Sequence, residues 1–567
     1  MAAIVLIEGC VTPCGPRCNR GPAEAPQEAT APETDPEARR LLDLADAWWE
    51  HLMVTSPTWA TYLGDRRFDD RLEDISTEAR EAHLEVARRV LDQLHTIDRE
   101  ALRRARDAVT WDVLNAVLRR TLAQEVCRGE QWSVDQLYGL QVRLPGLANS
   151  HTIRDTRDVE TLASRYGAAA TLVDQHIANL EAGLAAGRVA FHVAVSRVIG
   201  QIENLVKTPK TSSPFVAGVR FPDAWNDARQ AMARVKLARA VDMSVYPALE
   251  RYAAFLRDRY LSVARQTPGV STLPEGRACY AHRIRAQTGS TESPEAIHQI
   301  GLDELARLEA EMMAIARSLG TSEDLRTFVA QLRSRPDQVA TSEAALLAVA
   351  KDAVARAQAA LPGAFGKLPA TPIIVKPIEA YRAASAPAAY YYSAPADGSR
   401  PAVFYLNTHQ VQERLLYNQE ALAFHEAVPG HHLQIALAAE IDDIPTFQRR
   451  QSQTAFVEGW GLYAELLADE LGLYASPLGR FGMLNYQAWR ACRLVVDTGI
   501  HALGWSREQA ITFMVGHTAL TRSEVEVEID RYIIWPGQAL AYMLGRMGFQ
   551  RLRAKAETAL GDRFDLR

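Results

Sequence analysis

Along most of this chain apolar residues recur at intervals of three and four, the period of an amphipathic helix. The pattern begins at Glu37 and runs to about Met53, carried by Leu41, Leu42, Leu44, Ala45, Trp48, Trp49 and Leu52. It predicts further helices over residues 77–95, 155–186 and 222–267, then a second helical set over 294–319 and from 322 to about 360. The period then changes. Residues 372–377, 389–392 and 402–406 read as short strands, with a turn-rich loop at 395–400 between the last two. Helices resume at about Val411. Residues 411–428 read as one helix, Pro429 and Gly430 interrupt it, and a second piece covers 431–439. No internal repeat is visible. The fold expected is mainly α: one helical domain over 36–567, with subregions of about 36–360 and 361–567 and a small β-sheet set just before the helix that reaches 428.

Composition narrows the function classes. Of 567 residues, 48% are hydrophobic, enough for a large core. Basic residues number 63 against 69 acidic, so the excess of Lys and Arg that a nucleic-acid face needs is missing. No apolar run approaches the ~20 residues of a membrane-spanning helix. Residues 1–35 read as a disordered tail or the remnant of a signal and tether. Leu6-Ile7-Glu8-Gly9-Cys10 resembles the end of a bacterial lipoprotein signal, and residues 21–35 are rich in Pro, Ala, Glu and Thr, like a tether. One reading is an envelope or periplasmic lipoprotein whose start falls inside its signal. The other is a cytoplasmic enzyme with a loose tail. Cys14 and Cys18 join Cys10 in that tail, whereas Cys127, Cys279 and Cys492 are scattered and suggest no disulfide framework.

Candidate chemistry concentrates in His425-Glu426-Ala427-Val428-Pro429-Gly430-His431-His432. A His-Glu pair on a helix followed by another His is the heart of zinc peptidases. Neutral imidazoles bind Zn2+, and the adjacent carboxylate takes a proton from the water that the metal acidifies. The usual spacing, H-E-x-x-H, puts both His one turn apart on one face. Here Pro429 stands four residues after His425. In a straight helix His431 would be rotated by ~600° and point elsewhere, while His432 would regain the face only after a rise of ~10.5 Å. Pro429 removes a hydrogen bond to the His425 carbonyl and Gly430 frees the backbone, so a kink there would bring His431 round. His432 remains the alternative ligand. The third ligand expected is Glu458, on a second apolar helix, where a carboxylate is costly to bury unless paired or metal-bound. Glu465 is a weaker ligand candidate or a group that orients one. The bland reading is that these His and Glu satisfy one another in a polar core.

Further segments extend the pattern: Leu273-Pro274-Glu275-Gly276 with Tyr280, residues 297–302, Val496-Asp497-Thr498-Gly499-Ile500-His501, and Arg531-Tyr532 with Trp535-Pro536-Gly537-Gln538-Ala539. With the metal segments they make the chain resemble, from about residue 40 to 550, the bacterial family called domain of unknown function 885, a set of predicted zinc metallopeptidases. More distantly the layout is similar to the helical metallopeptidases that include angiotensin-converting enzyme and the thermostable carboxypeptidases. Lining up Gly430-His431 with their final Gly-His favours His431 over His432. The resemblance implies a large helical body split by a deep cleft, and it leaves the substrate open.

Oxyanion stabilisation falls to Tyr532 and Arg531 first, then His501. Arg493, with Arg490, is a candidate clamp for a substrate carboxylate, set against ion pairs on a helix surface. Tyr390 and Tyr392 are expected at the cleft edge, with Tyr280 and His282 on the opposite wall; His409 reads as structural. The function expected is a zinc-dependent hydrolase, a peptidase on short peptides in which Glu426 activates the water. Its rivals are an amide hydrolase of a small metabolite and a non-enzymatic, envelope-tethered binding protein. An intact Glu426 speaks against the last, since binding needs no general base.

Overall fold

The computed structural model describes residues 35–102, 104–210, 212–320, 324–378, 383, 386–394, 400–451 and 453–567. The tail before Asp35, with its three cysteines, and most of the 395–400 loop lie outside them. The described chain is mainly helical with one three-stranded sheet, as its periodicity predicts. None of the described helices is long and apolar enough to cross a membrane.

The first helix, Pro36–Thr55, starts where the sequence allows. Asp35 accepts from the Glu37 N–H at 3.1 Å, and Pro36 has no N–H to leave unpaired. The helices Thr77–Leu94 and Pro294–Ser318 end within a residue of expectation. Three longer readings are corrected. Residues 322–360 split into Leu325–Ser334 and Glu343–Ala364, because Pro336 holds Arg335 extended and Ser342 caps the second helix. The 222–267 pattern begins instead at Asp227, capped by Asn226. Residues 411–428 form short turns at Val411–Glu413 and Leu416–Asn418 before the helix Gln419–Glu426. Between those turns the Arg414 carbonyl accepts from Ala340 N at 3.4 Å, which keeps 414–415 extended.

Strands β1 (Ile373–Pro377), β2 (Ala389–Tyr392) and β3 (Ala402–Leu406) lie in the order β1-β3-β2. β1 runs parallel to β3 and β2 antiparallel, with Tyr390 opposite Tyr405. β2 is therefore an edge, and it packs against the helix that carries His425.

Two close helix crossings set the position of the site. Pro294–Ser318 lies along Pro477–His501, where a Cβ on Gly301 would come within 2.8 Å of Leu494 and Val495. Thr454–Glu470 crosses Ala541–Leu560 at Gly459 and Gly545, where a Cβ on Gly459 would lie 2.5 Å from the Gly545 backbone. Cys127 and Cys279 form a disulfide across a sequence separation of 152, a pairing made by tertiary packing that no local spacing announces. The expectation of unpaired scattered cysteines thus holds only for Cys492, which is free and buried.

Candidate metal centre

The helix Gln419–Glu426 stops at Ala427, whose φ of -100° and ψ of -104° leave the helical range. Pro429 offers no N–H to continue it. The chain then folds back so tightly over the helix end that a Cβ on Gly430 would lie 1.9 Å from the His425 carbonyl oxygen. Trp460 Nε1 donates to the carbonyls of Pro429 (2.9 Å) and Gly430 (3.2 Å), and His432 N donates to Ala427 O at 3.0 Å. A new helix, His431–Ala439, begins at once. His431 therefore returns beside His425, their rings edge-to-face with centroids 4.7 Å apart.

Glu458 reaches this pair from the helix Thr454–Glu470. Its Oε2 lies 3.6 Å from both His425 Nε2 and His431 Nε2, and one donor atom from each residue lies within 4.8 Å of the others. Both histidines are buried, while the Glu458 side chain is 23% exposed. Glu465, fully buried on the same helix, holds His425 Nδ1 at 2.8 Å. As a carboxylate it only accepts, so Nδ1 carries the proton and Nε2 faces Glu458. The other Glu465 oxygen accepts from Gln487 (3.1 Å), and Gln487 accepts from Arg546 (2.9 Å). Gly461, one turn beyond Glu458, lets the helix back lie directly on the His425 ring; a Cβ there would be 2.8 Å from Nε2.

Burial opposes charge on His425, but Glu458 and Glu465 outweigh it and push the imidazole up to about 9. Burial likewise opposes charge on Glu458, yet His425 and His431 hold it well below the usual carboxylate range. His425 and Glu458 thus stabilise each other's charged forms at the centre of the cluster. Glu426 follows His425, is half-buried and has no hydrogen-bond or ion-pair partner among the described residues.

The remaining expected residues are not among these donors. His432 turns away from the cluster: its Nδ1 meets Tyr391 OH (3.2 Å) and its Nε2 the Thr371 carbonyl (3.0 Å), so the alternative-ligand reading is set aside. Burial, its largest influence, brings it down to about 4. His501 is corrected as well. It is fully buried, accepting from Val270 N at 3.1 Å and meeting Tyr532 O at 3.0 Å, with no ring nitrogen left for a substrate. Tyr280 is a core residue rather than a substrate contact, its hydroxyl donating to Asp497 at 2.6 Å. Tyr532 is buried and donates to Glu528 (2.6 Å) while accepting from Arg493 (2.8 Å). Its proton is therefore committed before any oxyanion forms. Arg531 donates to Gln538 (2.8 Å) and Tyr542 (3.2 Å). Arg493 is buried, not a helix-surface residue. Tyr390 stacks on Tyr405 at 5.0 Å, and Tyr392 is exposed beneath Arg400 at 4.3 Å. A cavity of about 610 Å3 lies between the N-terminal helices and the 534–538 segment, lined by Trp132, Arg143, Tyr252 and Gln538 among others. None of His425, His431 or Glu458 lies on its walls, and the donor chemistry, not the volume, singles out the cluster.

The chain matches the family described as "Bacterial protein of unknown function (DUF885)" over residues 57–567. No curated protein matches it. A crystal structure of the "putative lipoprotein" from Colwellia psychrerythraea is 28% identical, with a TM-score of 0.86 and 94% of each chain covered. A "putative lipoprotein of unknown function" from Shewanella oneidensis shares the fold at 17% identity and a TM-score of 0.70, covering 93% of this chain and 95% of that one. On the span that matches, this chain belongs to the bacterial DUF885 family of proteins of unknown function.

Proposed function

We propose that this protein is a zinc-dependent hydrolase that cleaves amide bonds of short peptides at the cell envelope. One observation carries the reading: two imidazole nitrogens stand 3.6 Å from one carboxylate oxygen. Zinc ligands at ~2.05 Å in a tetrahedron stand ~3.4 Å apart, so both of these distances suit a shared ion. A polar core satisfied by hydrogen bonds would draw them to ~2.9 Å. Three protein ligands leave one coordination position over, the composition of catalytic rather than structural zinc sites. Zinc supplies Lewis acidity and an acidified water when bound. Glu426 is the general base: its charge acts on the neighbouring His425 ring, and no described residue pairs with it. Glu465 fixes the tautomer and orientation of His425.

The peptide substrate is supported by β2, an edge strand packed beside the His425 helix, because an edge offers main-chain groups to an extended chain. The envelope is supported by the names of the two related structures and by the Cys127–Cys279 disulfide, since such bonds persist in oxidising compartments. Metal analysis and one variant test the reading. Protein purified without chelator is expected to carry one zinc. Glu426→Gln is expected to keep it while losing ~10²–10⁴-fold in peptide turnover. Turnover retained by that variant would sink the mechanism.

A further inference from the structure

Beside the triad lies a group of arginines that the hydrolase reading leaves unused. Arg490 stands on the helix Pro477–His501, one turn (~5 Å) beyond Gln487, the residue that bonds Glu465 behind His425. It is 6% exposed, yet it forms no ion pair among the described residues. Its one hydrogen bond runs to the Tyr486 carbonyl at 3.4 Å, and its Nε is buried without a partner. Aromatic rings enclose the guanidinium: Trp489 at 4.4 Å, Tyr486 at 4.8 Å and Tyr542 at 6.0 Å.

Two more arginines share these walls. Arg493 lies against Trp489 (4.5 Å) and Tyr542 (4.4 Å), with Nη1 buried and unpartnered. Arg531 bonds the Tyr542 hydroxyl, and its Nε is likewise unpartnered. Among the described residues one acid answers them: Glu528, 3.1 Å from Arg493 and 3.7 Å from Arg531. Three guanidinium charges therefore meet a single carboxylate. Tyr542, which the three arginines share, lies one turn before Gly545, and Gly545 packs on Gly459 next to Glu458. The cluster is thus linked to the triad through two different helices.

A buried cation without a counter-ion is costly, and aromatic rings attract its charge without satisfying its N–H groups. A planar guanidinium edge held between rings suits a planar carboxylate, which accepts two parallel hydrogen bonds. We propose that Arg490, backed by Arg493 and Arg531, forms a subsite for a substrate carboxylate, either the C-terminus of a peptide or an acidic side chain. The word substrate rests on the hydrolase reading; the anion site itself does not need turnover.

The test is binding, by calorimetry, to zinc-loaded Glu426→Gln protein. The probes are N-acetyl-trialanine, its C-terminal amide, and N-acetyl-alanyl-glutamyl-alanine amide. We expect at least one of the two acids to bind tenfold or more tighter than the uncharged amide, and which acid does so names the source of the carboxylate. Arg490→Gln is expected to erase the difference, and Arg490→Lys to keep part of it. Arg490→Met is expected to melt no lower than wild type, because it removes an uncompensated charge. Equal binding of all three probes would overturn the proposal. So would a preference that survives in folded Arg490→Gln protein, or a lower melting temperature for Arg490→Met, the mark of a structural arginine. Acid preference without turnover of any peptide by the wild-type protein would refute the hydrolase reading and leave this subsite standing.

Discussion

Alanine at position 461 separates metal binding from folding. A Cβ there would lie 2.8 Å from both Cε1 and Nε2 of His425 and 3.1 Å from Cδ2. Ordinary contacts are ~3.5–4.0 Å, so ring or helix must yield by ~0.7–1.2 Å. Neither moves freely. The ring is tied through Nδ1 to Glu465 at 2.8 Å, and the helix is held where Gly459 meets the Gly545 backbone. Zinc–ligand distances tolerate only ~0.2 Å, so the displacement is several times too large. Stability is a different matter. Glycine to alanine in a helix interior gains ~1 kcal/mol, and overpacking costs ~1–3 kcal/mol. The two nearly offset, leaving a net loss of ~0–2 kcal/mol in metal-free protein. Substitutions around zinc ligands weaken binding ~10–100-fold; this one displaces the ligand itself, and ~100-fold or more is expected. Competition with a chromophoric chelator measures the affinity, and melting in EDTA measures the fold. A Gly461→Ala protein that melts normally and binds zinc within twofold of wild type would refute the assignment of His425 Nε2 as a ligand.

Three further outcomes follow from the same geometry. Glu465→Gln keeps an acceptor for His425 Nδ1 but loses the charge, so zinc affinity should fall ~10–100-fold with little loss of structure, read by the same titration. His425 is pushed up to about 9 and must be neutral to bind metal. Apparent zinc affinity should therefore drop ~tenfold for each pH unit below that value, and a flat profile from about pH 9 to 6 would contradict it. Asp497 is raised to about 7, chiefly by burial against the donors Tyr280 and Gly537. A carboxyl raised on folding contributes stability that is complete below its unfolded value of ~4 and is lost as pH rises through about 7. Asp497→Asn should flatten that part of the urea-midpoint curve.

What the sequence makes legible is what local chemistry decides. The three strands and the 431–439 helix come out to within a residue because local residue types mark their ends: Pro372, Pro377, Pro387 and Pro401 around the strands and Gly430 before the helix. The false helix over 411–428 fails for the opposite reason: Arg414 bonds Ala340, far back in the chain, and propensity yields to that contact. The Cys127–Cys279 bond is invisible on the same grounds. Tyr280 and His501 look like site residues because their segment is polar, but that polarity serves a buried network with Asp497 and Tyr532. The sequence also carries a signal for the support of the candidate site. Gly459 and Gly461, two glycines within an apolar helix, each cost ~1 kcal/mol against alanine. Each instead marks a close approach, one to Gly545 and the other to the His425 ring.

The spacing of the two histidines becomes intelligible once the helix is allowed to end. A regular helix must bring its second ligand back at four residues, because rotation and rise are coupled. Here the fold-back at 427–430 uncouples them. The chain turns over the carbonyls of Phe424 and His425, which only a residue without a Cβ permits at position 430. His431 then returns at six residues with its Nε2 facing the same carboxylate as His425. Such a turn would be soft by itself, and Trp460 stiffens it by bonding two of its carbonyls. Trp460 is two residues from Glu458 on the same helix, so one element both supplies the third donor and clamps the loop that delivers the second. The segment Glu458-Gly459-Trp460-Gly461 thus acts as a unit: donor, helix crossing, loop clamp and ring contact in four consecutive residues.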